Sequence, residues 1–131
     1  MKKLNDMSIC VNFDGTIVEY DYPRIGEPVP GAIESLKILQ DYGANIILFT
    51  MRSGTQLLQS INYLKVNGIN LYGININPSQ TEWTQSPKAY GDYHIDYSAL
   101  GTPLIYKKGK RPYVNWKEVM IELETRIDKE S

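Results

Sequence analysis

Polar side chains that could bind an ion follow the apolar runs of this sequence. The segment 12–16, Asn-Phe-Asp-Gly-Thr, ends the first run, and the segment 50–54, Thr-Met-Arg-Ser-Gly, ends the second. Lys88 closes a polar stretch, and Asp96 lies at the end of a later apolar run. Carboxylates suit hard cations, whereas lysine, arginine and free backbone N–H groups suit anions. These residue types predict a site for an anion, a cation or both.

The elements that must position these residues alternate along the chain. Short apolar runs predict strands, and apolar residues at helical spacing predict helices. The predicted strands are 7–13, 45–50, 71–76, 93–97 and a short 104–106; the helices are 32–42, 54–67 and 116–127, and 77–87 is a long loop. This order predicts an α/β fold, a parallel sheet covered on both faces, in a single domain spanning 1–131. Because ligands gather at the carboxyl ends of parallel strands, the polar segments should meet at one edge of the sheet.

The motifs in this order resemble the haloacid dehalogenase-like (HAD-like) superfamily. Residues 12–16 resemble its first motif, Asp-x-Asp-Gly-Thr, while Thr50, Lys88 and Asp96 resemble the second-motif Ser/Thr, third-motif Lys and fourth-motif acid. More narrowly, the strings 13–16, 22–26, 50–52, 83–90 and 95–96 resemble a small group of bacterial and phage HAD-like proteins, mostly assigned only as hydrolases. The resemblance covers about residues 7–101. It implies a three-layer Rossmann-like HAD fold with a mostly parallel sheet.

The resemblance also implies roles for single residues. The first-motif acid attacks phosphorus and holds Mg²⁺, which gives Asn12 the altered nucleophile position, and Asp14 is the general acid and base. Thr50 and Lys88 bind phosphate oxygens, and Asp96 helps Asp14 and Asn12 to hold the metal. The implied substrate-binding residues are Thr16, Arg52, Ser53, Gly54 and Lys88.

Two departures from the motifs bear on activity. Asn12 replaces the nucleophile, and its neutral amide is also a poorer Mg²⁺ ligand than a carboxylate. Tyr97 stands where relatives usually carry a second acid after Asp96. Asp92 offers an alternative match to the fourth motif, but the apolar strand follows it instead of preceding it, so we assign Asp96. These departures predict loss of phosphoryl transfer and weak or absent Mg²⁺ binding.

The remaining features of the sequence limit the classes of protein to which this chain can belong. No cap domain fits between the first and second motifs or just before the fourth, so the site is either open or covered by 20–30, 77–87 or a second subunit. The net charge of −1 without a basic face predicts no nucleic-acid binding, and no apolar stretch predicts a membrane span or a leader in residues 1–6. We interpret Cys10 as a buried inert thiol, His94 as a structural histidine and 107–111 as a solvated basic loop. These features fit a cytoplasmic protein from a bacterium or phage. Assembly of the chain as a homo-oligomer remains an open alternative.

Three functions remain open at this point. The first is a catalytically impaired HAD-like protein that binds a phosphorylated small molecule, such as a nucleotide, in a sequestering or regulatory role. The second is an Mg²⁺-dependent phosphatase carrying an inactivating residue at Asn12. The third is a partner-binding module that reuses the fold. Asn12 itself has three explanations: natural loss of catalysis with binding retained, an engineered change of the catalytic Asp to Asn that traps a ligand, or an enzyme that uses another chemistry.

Overall fold

A computed structural model describes residues 4–130, so the expectation about residues 1–6 falls partly outside the described chain. The predicted order of elements is confirmed. Each strand of the sheet is shorter than predicted, because the residues at its carboxyl end do not pair with a neighbouring strand. The elements are β1 (Ser8–Val11), α1 (Ala32–Asp41), β2 (Asn45–Leu48), α2 (Gly54–Val66), β3 (Leu71–Ile74), β4 (Tyr93–Ile95), β5 (Leu104–Ile105), β6 (Tyr113–Val114) and α3 (Trp116–Glu130). A 3₁₀ helix, Pro78–Glu82, lies in the predicted long loop.

The main sheet is parallel throughout and has the strand order β3-β2-β1-β4. Val11, the last residue of β1, lies opposite Leu48 of β2 and Ile95 of β4, so three strands end at the same level. Strands β5 and β6 form a separate antiparallel pair. The predicted α/β fold with a parallel sheet is therefore confirmed, and the described residues contain no inserted cap domain.

The two faces of the sheet are covered differently. Ile9 and Val11 of β1 face the main core, which contains residues from all three helices. Cys10 faces the other way and packs with Ile47 and Ala89. Segment 77–91 covers this second face and is fastened by Asn77, whose side-chain nitrogen donates to the hydroxyl of Ser8 at 3.0 Å and to a backbone carbonyl at 2.9 Å. The third layer is thus an irregular segment held in place by side-chain hydrogen bonds, and it is not an α-helix.

The helices begin and end where the sequence signals place them. Gly43 and Gly68 follow α1 and α2 with φ values of 103° and 84°, a left-handed conformation that favours glycine at a helix end. The side-chain oxygen of Asn115 accepts from the backbone N–H of Glu118 at 3.2 Å and so caps α3. Across the described residues, we find no helix with the length and apolar character that a membrane crossing requires.

Candidate functional site

The carboxyl ends of the parallel strands bring several predicted site residues together. The backbone N–H of Asn12 donates to the last carbonyl of β4 at 2.9 Å, and that of Phe49 donates to the last carbonyl of β1 at 2.9 Å. The backbone N–H of Thr50 donates to the side chain of Asn75, which follows β3, at 2.8 Å. Asn12, Thr50 and Asp96 therefore follow neighbouring strand ends. We call this edge of the sheet, residues 12–16, 49–54, 75 and 96–98, the rim.

Asn12 is oriented by its own loop. Its side-chain nitrogen donates to the backbone carbonyl of Asp14 at 2.7 Å and lies 3.4 Å from the hydroxyl of Thr16. A carbonyl oxygen can only accept, so the nitrogen must face the loop and the amide oxygen must face away from it. No donor among the described residues binds that oxygen. Position 12 thus presents a neutral acceptor to the rim, with no nucleophilic oxygen or nitrogen.

Asp14 is held in a buried ion pair with Arg52. The guanidinium donates from Nε to one carboxylate oxygen at 2.9 Å and from Nη2 to the other at 2.8 Å. Arg52 is 2% exposed, and its remaining donors reach the backbone carbonyls of Pro23, Arg24 and Gln56 at 2.7–3.3 Å. The guanidinium also lies 5.0 Å from the ring of Phe13 and 5.2 Å from that of Tyr22. Both oxygens of Asp14 and every nitrogen of Arg52 are therefore engaged within the protein.

Thr16 is fully buried and joins three parts of the chain. Its hydroxyl accepts from the backbone N–H of Tyr97 at 3.1 Å, and its carbonyl accepts from the indole of Trp116 at 2.7 Å. The ring of Tyr97 lies so close to Gly15 that an added Cβ would be 2.6 Å from it. Because Thr16 is 0% exposed, the predicted ligand contact of its hydroxyl would require the groups that cover it to move. Tyr97 occupies the space beside the 14–16 turn.

The loop 50–54 leaves several groups open at the rim. The hydroxyl of Thr50 accepts from the backbone N–H of Arg52 at 3.1 Å, which leaves its proton available to a ligand. Ser53 is the N-cap residue of α2, but its side chain makes no capping hydrogen bond. Ser53 and Gly54 are exposed, and the first N–H groups of a helix favour an anion. This part of the rim has donors without acceptors.

Lys88 and Asp96 both act electrostatically on His94. Burial lowers the pKa of His94, the Lys88 charge lowers it further, and Asp96 opposes these effects. Lys88 is exposed, and within residues 4–130 no carboxylate lies within ion-pair distance of its ammonium group. One carboxylate oxygen of Asp96 accepts from both the backbone N–H and the hydroxyl of Ser98, at 2.9 and 2.8 Å. Asp92 lies at the opposite end of β1, where it accepts from the backbone N–H of Ser8.

The residues predicted to hold Mg²⁺ do not fit a metal ion in their present arrangement. Arg52 binds both oxygens of Asp14, while the nitrogen of Asn12 binds the backbone carbonyl of Asp14. Asp96 is directed to its own turn. Within the described part of the chain, no three His, Cys, Asp or Glu side chains form a group that could hold a metal. The donors of the rim instead suit an anion.

Sequence reasoning missed the most tightly bound pair of the site. Asp14 and Arg52 were given separate roles, although each lies three or four residues beyond the end of one of two paired strands. That similar spacing is the signal that could have found the pair. The carbonyl groups of Pro23 and Arg24, which complete the environment of the guanidinium, left no signal in the sequence.

Comparison with known proteins adds one solved structure. No family model and no curated protein matches the chain. A conserved protein from Bacteroides thetaiotaomicron is 34% identical, and the match covers 93% of each chain with a TM-score of 0.75. Because the match covers nearly the whole length of both chains, the two proteins share their fold.

Proposed function

We propose that this chain, which belongs to the same family as the Bacteroides thetaiotaomicron protein, is a HAD-like protein that binds a phosphorylated small molecule without hydrolysing it. The ligand's phosphate would lie at the rim, between Thr50, Lys88 and the start of α2. Retention of an unchanged ligand would suit a sequestering or regulatory role. The resemblance of the motifs supports the assignment to the HAD-like superfamily.

The ion pair between Asp14 and Arg52 carries the proposal that turnover is lost. The resemblance makes Asp14 the general acid and base, and that role requires a carboxyl group free to exchange a proton with the substrate. Both of its oxygens are bound by Arg52, which is buried and held by three backbone carbonyls. Asn12 also supplies no nucleophile. Two separate steps of phosphoryl transfer therefore lack their group.

The retained anion site is supported by the donors that stay unpaired. The Thr50 hydroxyl has a proton to donate, the N-terminus of α2 has open N–H groups, and Lys88 has no carboxylate partner in the described chain. A phosphate would satisfy all three kinds of donor at once. Because Arg52 binds both carboxylate oxygens of Asp14, we propose that binding is independent of Mg²⁺.

Isothermal titration with inorganic phosphate, ribose 5-phosphate and AMP tests this function. We expect at least one of the three to bind, with the same dissociation constant in Mg²⁺ and in EDTA. Lys88→Ala should weaken binding about tenfold, as expected for a lost charged hydrogen bond. Lys117→Ala, which removes an exposed lysine from α3, is the matched control and should leave binding unchanged.

The opposing results separate the alternatives. Failure of all three compounds to bind would contradict the proposal and favour a partner-binding module. Phosphate release that appears in the Asn12→Asp variant with Mg²⁺ would favour a phosphatase silenced at one position.

A further inference from the structure

A cavity of about 320 Å³ lies next to Lys88 on the second face of the sheet. Its wall includes Trp83, Tyr90 and His94, with polar side chains from the segment 80–88. Its volume falls at the lower end of the range for small-molecule sites. We call it the Trp83 cavity. Lys88 lines this cavity, and it is also the lysine assigned to the phosphate under the proposed function.

Two of its aromatic rings are unusually exposed. Trp83 is 66% exposed and Tyr90 is 45% exposed, whereas Trp116, the other tryptophan of the chain, is 1% exposed. The rings of Trp83 and Tyr90 pack edge to face, with their centroids 5.9 Å apart. Tryptophan is on average a highly buried residue, and an exposed ring beside a cavity is typical of a ligand contact. The two exposed rings lie almost at right angles to each other, so each can offer one ring face or edge to a ligand.

The polar side chains of the cavity are left with protons to donate. The hydroxyl of Thr84 accepts from the backbone N–H of Ser86 at 3.1 Å, and the hydroxyl of Ser86 accepts from that of Lys88 at 3.2 Å. Each hydroxyl keeps its own proton for another partner. The amide of Gln80 is fully used, because it accepts from Tyr90 and donates to the carbonyls of Ser86 and Lys88. The cavity thus suits a ring that carries acceptor atoms.

His94 connects the cavity with the rim. Its ring packs edge to face on Phe49, a rim residue, with centroids 6.0 Å apart. His94 also lines the cavity, so a heterocycle bound there can contact its ring. His94 lies in β4, two residues before Asp96, which corresponds to about 7 Å along an extended chain. A ligand of moderate length could therefore reach both places.

We propose that the Trp83 cavity binds the base of a nucleotide whose phosphate group lies at the rim beside Lys88. Trp83 and Tyr90 contact the base through their rings, and Thr84 and Ser86 donate hydrogen bonds to its ring nitrogens or carbonyl oxygens. This inference rests on the proposed function for the phosphate and adds the class of ligand.

Fluorescence titration of the whole chain with AMP, ribose 5-phosphate and adenosine tests the base site. AMP should quench Trp83 and bind at least tenfold more tightly than ribose 5-phosphate, since stacking on an aromatic side chain is worth about that factor or more. Trp83→Leu should remove this preference and leave ribose 5-phosphate binding unchanged. Tyr106→Leu, at an exposed tyrosine away from the cavity, is the matched control. The buried Trp116 reports that each variant is folded.

The outcomes distinguish this inference from the proposed function. Equal binding of AMP and ribose 5-phosphate would overturn the base site and leave phosphate binding standing. Adenosine binding with quenching of Trp83, but no preference for a phosphate, would support the base site and contradict the phosphate site. No binding of any of the three compounds would overturn both.

Discussion

Replacement of Arg52 should destabilise this protein far more than replacement of an exposed arginine. Arg52→Met keeps most of the apolar stem and removes the guanidinium, which leaves the Asp14 carboxylate without its partner. The side chains of Arg52 and Asp14 are 1% and 11% exposed. Removing one partner of a buried pair costs about 3–5 kcal/mol, because the remaining charge stays desolvated. The loss of three bonds to backbone carbonyls favours the upper part of that range.

Urea unfolding followed by the fluorescence of Trp116 measures this cost. Arg126→Ala is the control, because Arg126 pairs with Glu122 at 2.8 Å in an exposed site, where the side chains are 58% and 55% exposed. An exposed pair contributes about 0–1 kcal/mol. If the midpoint falls so far that Arg52→Met is unfolded without urea, Arg52→Lys supplies a milder variant that keeps the charge and loses the two-pronged geometry.

A double-variant cycle with Asp14→Asn measures the interaction energy between Arg52 and Asp14 separately from their contacts with the rest of the protein. Once the carboxylate is neutral, removal of Arg52 leaves no buried negative charge, so the double variant should be more stable than the sum of the single losses predicts. We expect a coupling of about 2–3 kcal/mol. A loss for Arg52→Met no larger than that for Arg126→Ala, or a coupling near zero, would refute the reasoning that this pair is desolvated.

Three further perturbations give clear expectations. Asn12→Asp should lose about 1–3 kcal/mol of stability, since a carboxylate cannot donate to the backbone carbonyl of Asp14; it should show no phosphatase activity with Mg²⁺, and any turnover would contradict this. Gly15→Ala should cost about 1–3 kcal/mol more than Gly109→Ala in urea unfolding, because both positions have φ of 78° but only at Gly15 would the Cβ meet an aromatic ring; equal losses would disprove that contact. Burial, helped by the Asp92 charge, raises the pKa of Cys10 to about 11 from 9.0, so the stability it contributes is complete below pH 9 and is lost as the pH rises through 11. The stability of the protein relative to Cys10→Ala should therefore fall by about 1.4 kcal/mol per pH unit in that window. A stability difference independent of pH would reject this account of the thiol.

The order of strands and helices was predictable because each element carries a local signal. Apolar runs of four to six residues indicated strands, while Gly43, Gly68 and Asn115 marked helix ends through backbone conformation and capping, which depend on near neighbours. The pairing of β5 with β6 was less predictable, since two-residue strands carry almost no periodicity. The third layer was predicted as a loop, and Asn77 and Gln80 give it the fixed hydrogen bonds that a helix would otherwise supply.

The residues of the rim were predictable, but their partners were not. The sequence places Asn12, Thr50 and Asp96 at strand ends, and the register of the sheet then brings them together. It does not reveal whether a side chain faces a ligand or the protein. Arg52 faces the protein because it donates hydrogen bonds to Asp14 and to the carbonyls of Pro23 and Arg24. The contacts with these carbonyls depend on the path of the segment 20–30, which brings them next to the guanidinium. Charge pairing over 38 residues is a property of the fold.

The hydrogen bond from the Trp116 indole to the carbonyl of Thr16 has a consequence for the order of events during synthesis. Trp116 leaves the ribosome 100 residues after Thr16. The carbonyl of Gly15 likewise has this partner only after Val114 has been synthesised, because the backbone N–H of Val114 donates to it at 3.1 Å. The rim loop therefore cannot reach its final form on a nascent chain that lacks the last helix. A ligand that requires this loop will meet a complete site only after α3 has been synthesised, so a chain truncated before α3 should carry the motifs without the site.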